Sequence, residues 1–215
     1  METKAIKMAV VGANGRAGSL IVEEAVRRGI EVTAVVRGEN KTAAGKSLAK
    51  DALALETGDL ASFDVVVDAV GGWTPETVGA IPAVAKHLME ILSGTATRLL
   101  VVGGAGSLFV NKEHTATVAD GPEFPADWKP LAAVHSEALA ALRASTGLKW
   151  TYISPACDFR VDAPRTGEYI LGGEELTLND KGESIISYAD YAVAMVDEAT
   201  SAAPHIAQRI SVNGK

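Results

Sequence analysis

Short apolar runs rich in valine, isoleucine and leucine alternate with segments whose apolar residues recur every three or four positions. The runs Ile6–Val11, Glu31–Val36, Ala52–Glu56, Val65–Val70, Leu99–Val102 and Trp150–Ile153 read as strands, and Ser19–Arg28, Pro75–Leu92 and Leu131–Ser145 as helices. Strands that are apolar on both faces and separated by helices predict a doubly wound α/β fold, with a parallel sheet covered on both sides. Lys41–Lys50, rich in Ala, Lys and Gly, reads as a short helix or a loop. The pattern changes after Ile153. SPACDFRVDAPRTGEY is irregular; Glu168–Leu171 and Glu175–Leu178 alternate around Gly172-Gly173 as a hairpin would. Ser184–Ser187 is extended, Tyr188–Thr200 helical, and Arg209–Val212 a last strand. The expected organisation is one domain over 1–215, with a platform over about 1–154 and an elaboration over about 155–215.

The junction of the first strand and first helix carries the chemistry. In KMAVVGANGRAGSLIVEEAVRR the strand stops at Gly12, glycines follow at Gly15 and Gly18, and a helical pattern begins at once. A helix N-terminus offers unpaired N–H groups and the positive end of its dipole to an anion. Gly12 permits the turn, Gly15 lets a pyrophosphate approach the backbone, and Gly18 lets helix and strand pack closely, as in a Rossmann-type dinucleotide site. The second strand ends at Arg37, where such folds often place an acid for the adenosine ribose; an arginine there suits a 2′-phosphate, with Lys41 and Arg16 as further cations, or it is a solvated surface arginine. This favours NADP over NAD, with NADPH preferred to NADH.

Later strand ends extend the site. Asp59 suits the adenine amino group, with Leu60 packing on the ring, or is a helix cap. Ala69, Val70, Gly71 and Gly72 let backbone approach ribose and phosphates, and Pro75 suits a helix's first turn. Ser107 lies beyond the fifth strand. A long loop, 104–130, with Phe109, Phe124, Trp128 and three prolines, reads as a binding lid or as disorder. His135 follows in the next helix, as a structural or a functional histidine. Arg160 and Arg165 read as surface charges or as partners of an anionic substrate.

Composition narrows the classes. A hydrophobic fraction of 47% is ordinary for a globular chain, and a net charge of −7 argues against a nucleic-acid surface. The single cysteine, Cys157, excludes an internal disulfide and fits a reducing compartment; it reads as a small apolar residue rather than a nucleophile. METKAIK shows no secretory apolar region, and no apolar stretch is long enough to span a bilayer. The expectation is a cytoplasmic protein without a membrane or nucleic-acid partner and without a metal, monomeric or homodimeric.

The motifs taken in order resemble the atypical short-chain dehydrogenase/reductase group, and within it the bacterial NADH-flavin reductase-like and biliverdin-IXβ/flavin reductase-like proteins. VVGANGRAG is similar to their GATG-type nucleotide loop, with Asn14 in place of the commoner threonine; VVGGAGSL, SPACDF, RTGEY and ISYADYAVAMVDE resemble their later signatures. The resemblance implies cofactor contacts at Asn14, Arg16, Ala17 and Pro155 besides the positions above, and catalytic roles for Ser107 and His135. One departure bears on the reaction. None of Tyr152, Tyr169, Tyr188 or Tyr191 has a lysine four residues later, so the Tyr-x-x-x-Lys pair that exchanges a proton with an alcohol is absent. The expected activity is hydride transfer from NAD(P)H to a flavin or similar conjugated acceptor, which delocalises the incoming charge and takes its proton from water. The alternatives are a non-catalytic NAD(P) redox sensor and, less well supported, a nucleotide-sugar epimerase or dehydratase.

Overall fold

A computed structural model of the protein describes residues 6–215; the first five residues of METKAIK lie outside it. The strands are β1 (Lys7–Val11), β2 (Glu31–Val36), β3 (Lys46–Ala49), β4 (Val65–Asp68), β5 (Arg98–Val102), β6 (Lys149–Ser154), β7 (Asp158–Arg160), β8 (Tyr169–Gly172), β9 (Ile185–Ser187) and β10 (Gln208–Gly214). The helices are α1 (Arg16–Arg27), α2 (Thr57–Leu60), α3 (Ala80–Leu92), α4 (Lys129–Ala144) and α5 (Tyr188–Thr200). Eight strands form one sheet in the order β3-β2-β1-β4-β5-β6-β10-β8, parallel except for the β10–β8 pair, while β7 and β9 pair in parallel beside it. This is a Rossmann-like α/β fold. Strand order reverses between β1 and β4, which opens a crevice at their carboxyl ends.

Burial explains why the central strands read as continuous apolar runs. Met8 and Val10 enter the core under α1 and α5 with Ile21, Tyr191, Met195 and Ile210, whereas Ala9 and Val11 enter the opposite core under α3 and α4 with Leu88, Leu99, Leu139 and Trp150. With both faces covered, no polar position is left to alternate.

The C-terminal signatures lock this frame. Glu24 of α1 is only 4% exposed and accepts hydrogen bonds from Arg27, Arg28 and Arg165. Burial alone would raise its pKa, but the three arginines hold the carboxyl down at about 2. Arg28 also pairs with Asp197 of α5 at 2.6 Å, and Tyr169 donates to the same carboxylate. Buried Asp190 accepts from the N–H groups of Thr166 and Gly167 and from the Thr166 hydroxyl, fixing the turn before β8. Arg165 is therefore committed to Glu24, not to an anionic substrate.

Three local expectations are corrected. The third strand is Lys46–Ala49, at the sheet edge, and Ala52–Ala54 is a 3-10 turn capped by Asp51, whose carboxylate accepts from the Leu53 N–H at 2.9 Å. No hairpin joins 168–171 to 175–178: β8 pairs with β10, and Leu176 donates to the Phe109 carbonyl instead. Residues 75–79 form turns, so Pro75 precedes α3 rather than opening it. Loop 104–130 contains two 3-10 turns and runs into α4 at Lys129, with Phe109 bridged to Thr117 and to Glu175.

Candidate functional site

At the end of β1, Gly12 turns the chain with φ of +77°, and a Cβ there would stand 2.9 Å from the carbonyl oxygen of Ala69, just beyond β4. Gly18 backs onto the same turn; its Cβ would lie 2.4 Å from the Gly12 oxygen. The two glycines thus bring the start of α1 against the ends of both reversing strands. Gly15 is the N-cap of α1, no side chain caps the helix, and its first turn holds no acid. The N–H groups of Arg16, Ala17 and Gly18 consequently lack intrahelical acceptors at the positive end of the dipole, which makes a seat for an anion.

From this turn a groove of about 780 Å³ runs past Ala69, Val70 and Gly71 to Arg37, Lys41 and Leu53. Among the described residues the side chains of Arg37 and Lys41 make no ion pair. Asn14 holds their loop in place: its Nδ2 donates to the Glu39 carbonyl at 2.8 Å, and its Oδ1 accepts from the Lys41 N–H at 2.9 Å. Two cations without ion-pair partners, on a loop held by Asn14, therefore stand at this end of the groove. Asp59 and Leu60 do not line it. Asp59 is the N3 residue of α2, accepting from the Glu56 N–H and from Lys50 at 2.6 Å, and Leu60 is fully buried. Asp51 and Leu53 occupy the groove wall instead, because the third strand is Lys46–Ala49 and ends before the segment its sequence suggested.

A second cavity, of about 550 Å³, begins at Arg16, one residue from Gly15 of the groove. Its floor is Gly103–Gly106 after β5. A Cβ at Gly103 would meet the Tyr152 ring at 2.3 Å and one at Gly106 would meet the Ala132 side chain at 2.8 Å, so only glycines let this loop lie between β6 and α4. Pro155, Cys157 and Phe159 form one side, with Phe159 stacked on Tyr188 at 3.6 Å between ring centroids. Phe124 and Trp128 come from loop 104–130. Trp73 stands at the mouth, with the Arg16 guanidinium 5.5 Å from its ring centroid.

His135 reaches this cavity from α4. Desolvation pulls its pKa down to about 4, so the ring is neutral at physiological pH. The buried Tyr152 hydroxyl accepts from the Gly104 N–H at 3.0 Å, donates to the His135 carbonyl at 3.2 Å and lies 3.5 Å from His135 Nδ1. It positions both the glycine floor and the imidazole. Burial keeps Tyr152 protonated and also pushes the Cys157 thiol up, away from a thiolate.

Two anticipated contacts fall outside the cavity. Ser107 does not line it: its Oγ is buried without a hydrogen-bond partner and its carbonyl accepts from Arg209 at 3.2 Å. Arg160 pairs with Asp158 at 2.7 Å and is solvent-exposed. Conversely, Trp73 and Glu123 were not singled out from the sequence, and Tyr152 and Tyr188 entered there only as tyrosines without a lysine four residues later. Trp73 had a visible signal, a tryptophan directly after the small residues that end a strand.

The described residues contain no helix long and apolar enough to cross a membrane and no cluster suited to a metal ion. Comparison with known proteins agrees with the geometry. YwnB of Bacillus subtilis, an uncharacterized protein, is 42% identical over 196 residues, which is 90% of this chain and 92% of that one. A crystal structure from Streptococcus pneumoniae, of a protein provisionally named an NADH-flavin reductase, is 48% identical with a TM-score of 0.95, covering 98% of this chain and all 100% of that one. A Bacteroides thetaiotaomicron structure, provisionally named an epimerase, is 32% identical with a TM-score of 0.82 over 98% of both chains. The family model described as NAD(P)H-binding matches residues 12–201. That match opens on the glycine of the turn and closes just past the helix packed behind it, and the chain belongs to the NAD(P)H-binding family.

Proposed function

We propose that the protein is an NADPH-dependent reductase that delivers hydride to a flavin-like conjugated acceptor. The observation that carries this reading is the meeting, at consecutive residues Gly15 and Arg16, of an anion-binding groove and an aromatic cavity. NADPH, when bound, supplies the hydride. The turn Gly12–Gly18 would hold its pyrophosphate, with Asn14, Arg16 and Ala17 contributing. Arg37 and Lys41 would hold the 2′-phosphate, and Asp51 and Leu53 the adenine end. Ala69, Val70 and Gly71 would border the ribose, and the Gly103–Gly106 floor with Pro155 the nicotinamide end.

His135, uncharged, orients a water rather than acting as an imidazolium acid. An acceptor that delocalises charge makes no call on a tyrosine–lysine pair, which accords with the buried, fully hydrogen-bonded Tyr152 and weighs against an epimerase. The reading is tested by NADPH oxidation with riboflavin or FMN as acceptor. Turnover is expected, and His135 itself should add no inflection to kcat between pH 5.5 and 8, because desolvation pulls its pKa down to about 4. His135→Ala should lower kcat modestly and leave NADPH affinity nearly unchanged. Tight NADPH binding with no turnover on any acceptor would replace the reductase by a sensor.

Asn14→Ala tests the cofactor assignment. Freeing the loop that carries Arg37 and Lys41 should raise the Kd for NADPH about tenfold and leave that for NADH within twofold, as read by fluorescence titration. Equal losses for both cofactors would mean that the loop does not serve the 2′-phosphate.

A further inference from the structure

We propose that the acceptor is a flat conjugated ring carrying no phosphate, so that riboflavin is taken and FMN and FAD are disfavoured. This rests on the reductase reading and specifies which acceptor the same cavity admits. The acceptor takes up a hydride from NADPH and a proton from solvent, leaving its dihydro form and NADP⁺.

The charge around the two cavities differs in kind. In the groove, Arg37 and Lys41 are left without ion-pair partners, as a phosphate site requires. In the aromatic cavity the ionised groups are Arg16, Glu123 and Asp158, and no lysine lines it. Asp158 is neutralised by Arg160 at 2.7 Å. Arg16 belongs to the first turn of α1, beside the pyrophosphate seat, and its guanidinium lies over Trp73. Glu123 has no cation partner among the described residues. A phosphate entering here therefore meets an unopposed carboxylate, while of the two cations Arg160 is taken by Asp158 and Arg16 serves the cofactor. Repulsion between exposed charges is modest in water and fades with salt, so it sets a preference rather than an absolute bar.

The remaining lining suits an uncharged ring. Trp73 and Trp128 are 63% and 57% exposed at the cavity mouth, although large apolar side chains ordinarily seek cover. Trp73 is held out by a rigid turn: its N–H and that of Thr74 donate to the Thr77 hydroxyl, and a Cβ on Gly72 would stand 2.2 Å from the Thr77 carbonyl oxygen. Together with Phe124 and the Phe159–Tyr188 stack, these faces offer stacking area without charge.

The test compares riboflavin, FMN and menadione, an uncharged non-flavin, as acceptors at low ionic strength. Wild type, Glu123→Gln and Glu123→Lys are used, alongside quenching of flavin fluorescence by the NADP⁺-loaded protein. KM for riboflavin should lie at least tenfold below that for FMN, menadione should be accepted, and the flavin gap should shrink with added salt. It should narrow in Glu123→Gln and close to about threefold in Glu123→Lys. An FMN KM equal to or below that of riboflavin overturns the proposal, as does a gap that neither variant moves. Riboflavin quenching stronger than that of FMN without any turnover would sink the reductase reading and leave the charge selection standing. Turnover of both flavins without discrimination would do the reverse.

Discussion

Gly18→Ala is expected to weaken NADPH binding and catalysis by about 100-fold, the scale at which a displacement near 1 Å acts on an aligned site. The added methyl would have to occupy a point 2.4 Å from the Gly12 carbonyl oxygen and 2.9 Å from the Ala13 Cα, both backbone atoms that cannot rotate aside. Relief comes only by moving the start of α1 away from the turn, which withdraws the N–H groups of Arg16, Ala17 and Gly18 from the anion seat. The accompanying loss of stability, about 1–3 kcal/mol for overpacking, should be visible in thermal melts. Gly45→Ala is the control. Nothing lies within 4 Å of a Cβ there, and binding and melting should match the wild type. Wild-type NADPH affinity in Gly18→Ala would mean that the pyrophosphate does not sit on this turn.

That glycine turn was legible from the sequence because its requirement is local: a strand, a positive-φ turn and a helix start within a dozen residues. The strand Glu31–Val36 and the helix Tyr188–Thr200 were legible for a related reason, since each buries most of its residues and is correspondingly rich in apolar ones. β3 was not, because KSLA at the sheet edge is largely exposed and carries no such signal, while the apolar ALAL of residues 52–55 imitates a strand. That one misplacement put Asp59 and Leu60 on the groove wall, which Asp51 and Leu53 line instead. β8 looked like half of a hairpin because alternation records a half-buried strand but not its partner, which stands forty residues away in β10. Arg165 failed because a charge in the sequence does not disclose whether a distant residue already holds it, as Glu24 holds Arg165. Ser107 failed because the sequence does not disclose which way the chain turns after β5, and its hydroxyl is buried off the cavity.

Arg209→Met should lower stability by about 3 kcal/mol, a Tm decrease of roughly 6–12 °C in calorimetry. The Arg209 side chain is 0% exposed, its Nη2 pairs with Glu174 at 2.5 Å, and the same nitrogen donates to the carbonyls of Ser107 and Glu174. Glu174 is also held by Arg143 of α4 at 2.5 Å. One guanidinium thus fastens β10, the loop after β5 and the 174–176 segment, and through Glu174 it reaches α4. Methionine preserves much of the length but takes the donor from the Ser107 carbonyl, and leaves Glu174 with Arg143 alone on its carboxylate and the Phe109 N–H alone on its carbonyl. Lysine should not rescue the loss, because a single ammonium cannot reproduce the fork. Loop 104–130 is anchored to Glu174 through the Phe109 N–H, so KM for the acceptor should rise while NADPH affinity holds. A Tm within 2 °C of wild type would show that the pair contributes nothing.

The clasp of α1 by the far end of the chain also dictates a timetable. Glu24 finds Arg165 only after 141 further residues, and Arg28 finds Asp197 only after 169. During vectorial synthesis the first helix leaves the ribosome long before the groups that bury it, and a nascent chain halted near residue 155 carries the nucleotide turn without its backing. Such non-local closure slows folding and leaves an apolar helix face open to chaperones until translation is almost complete.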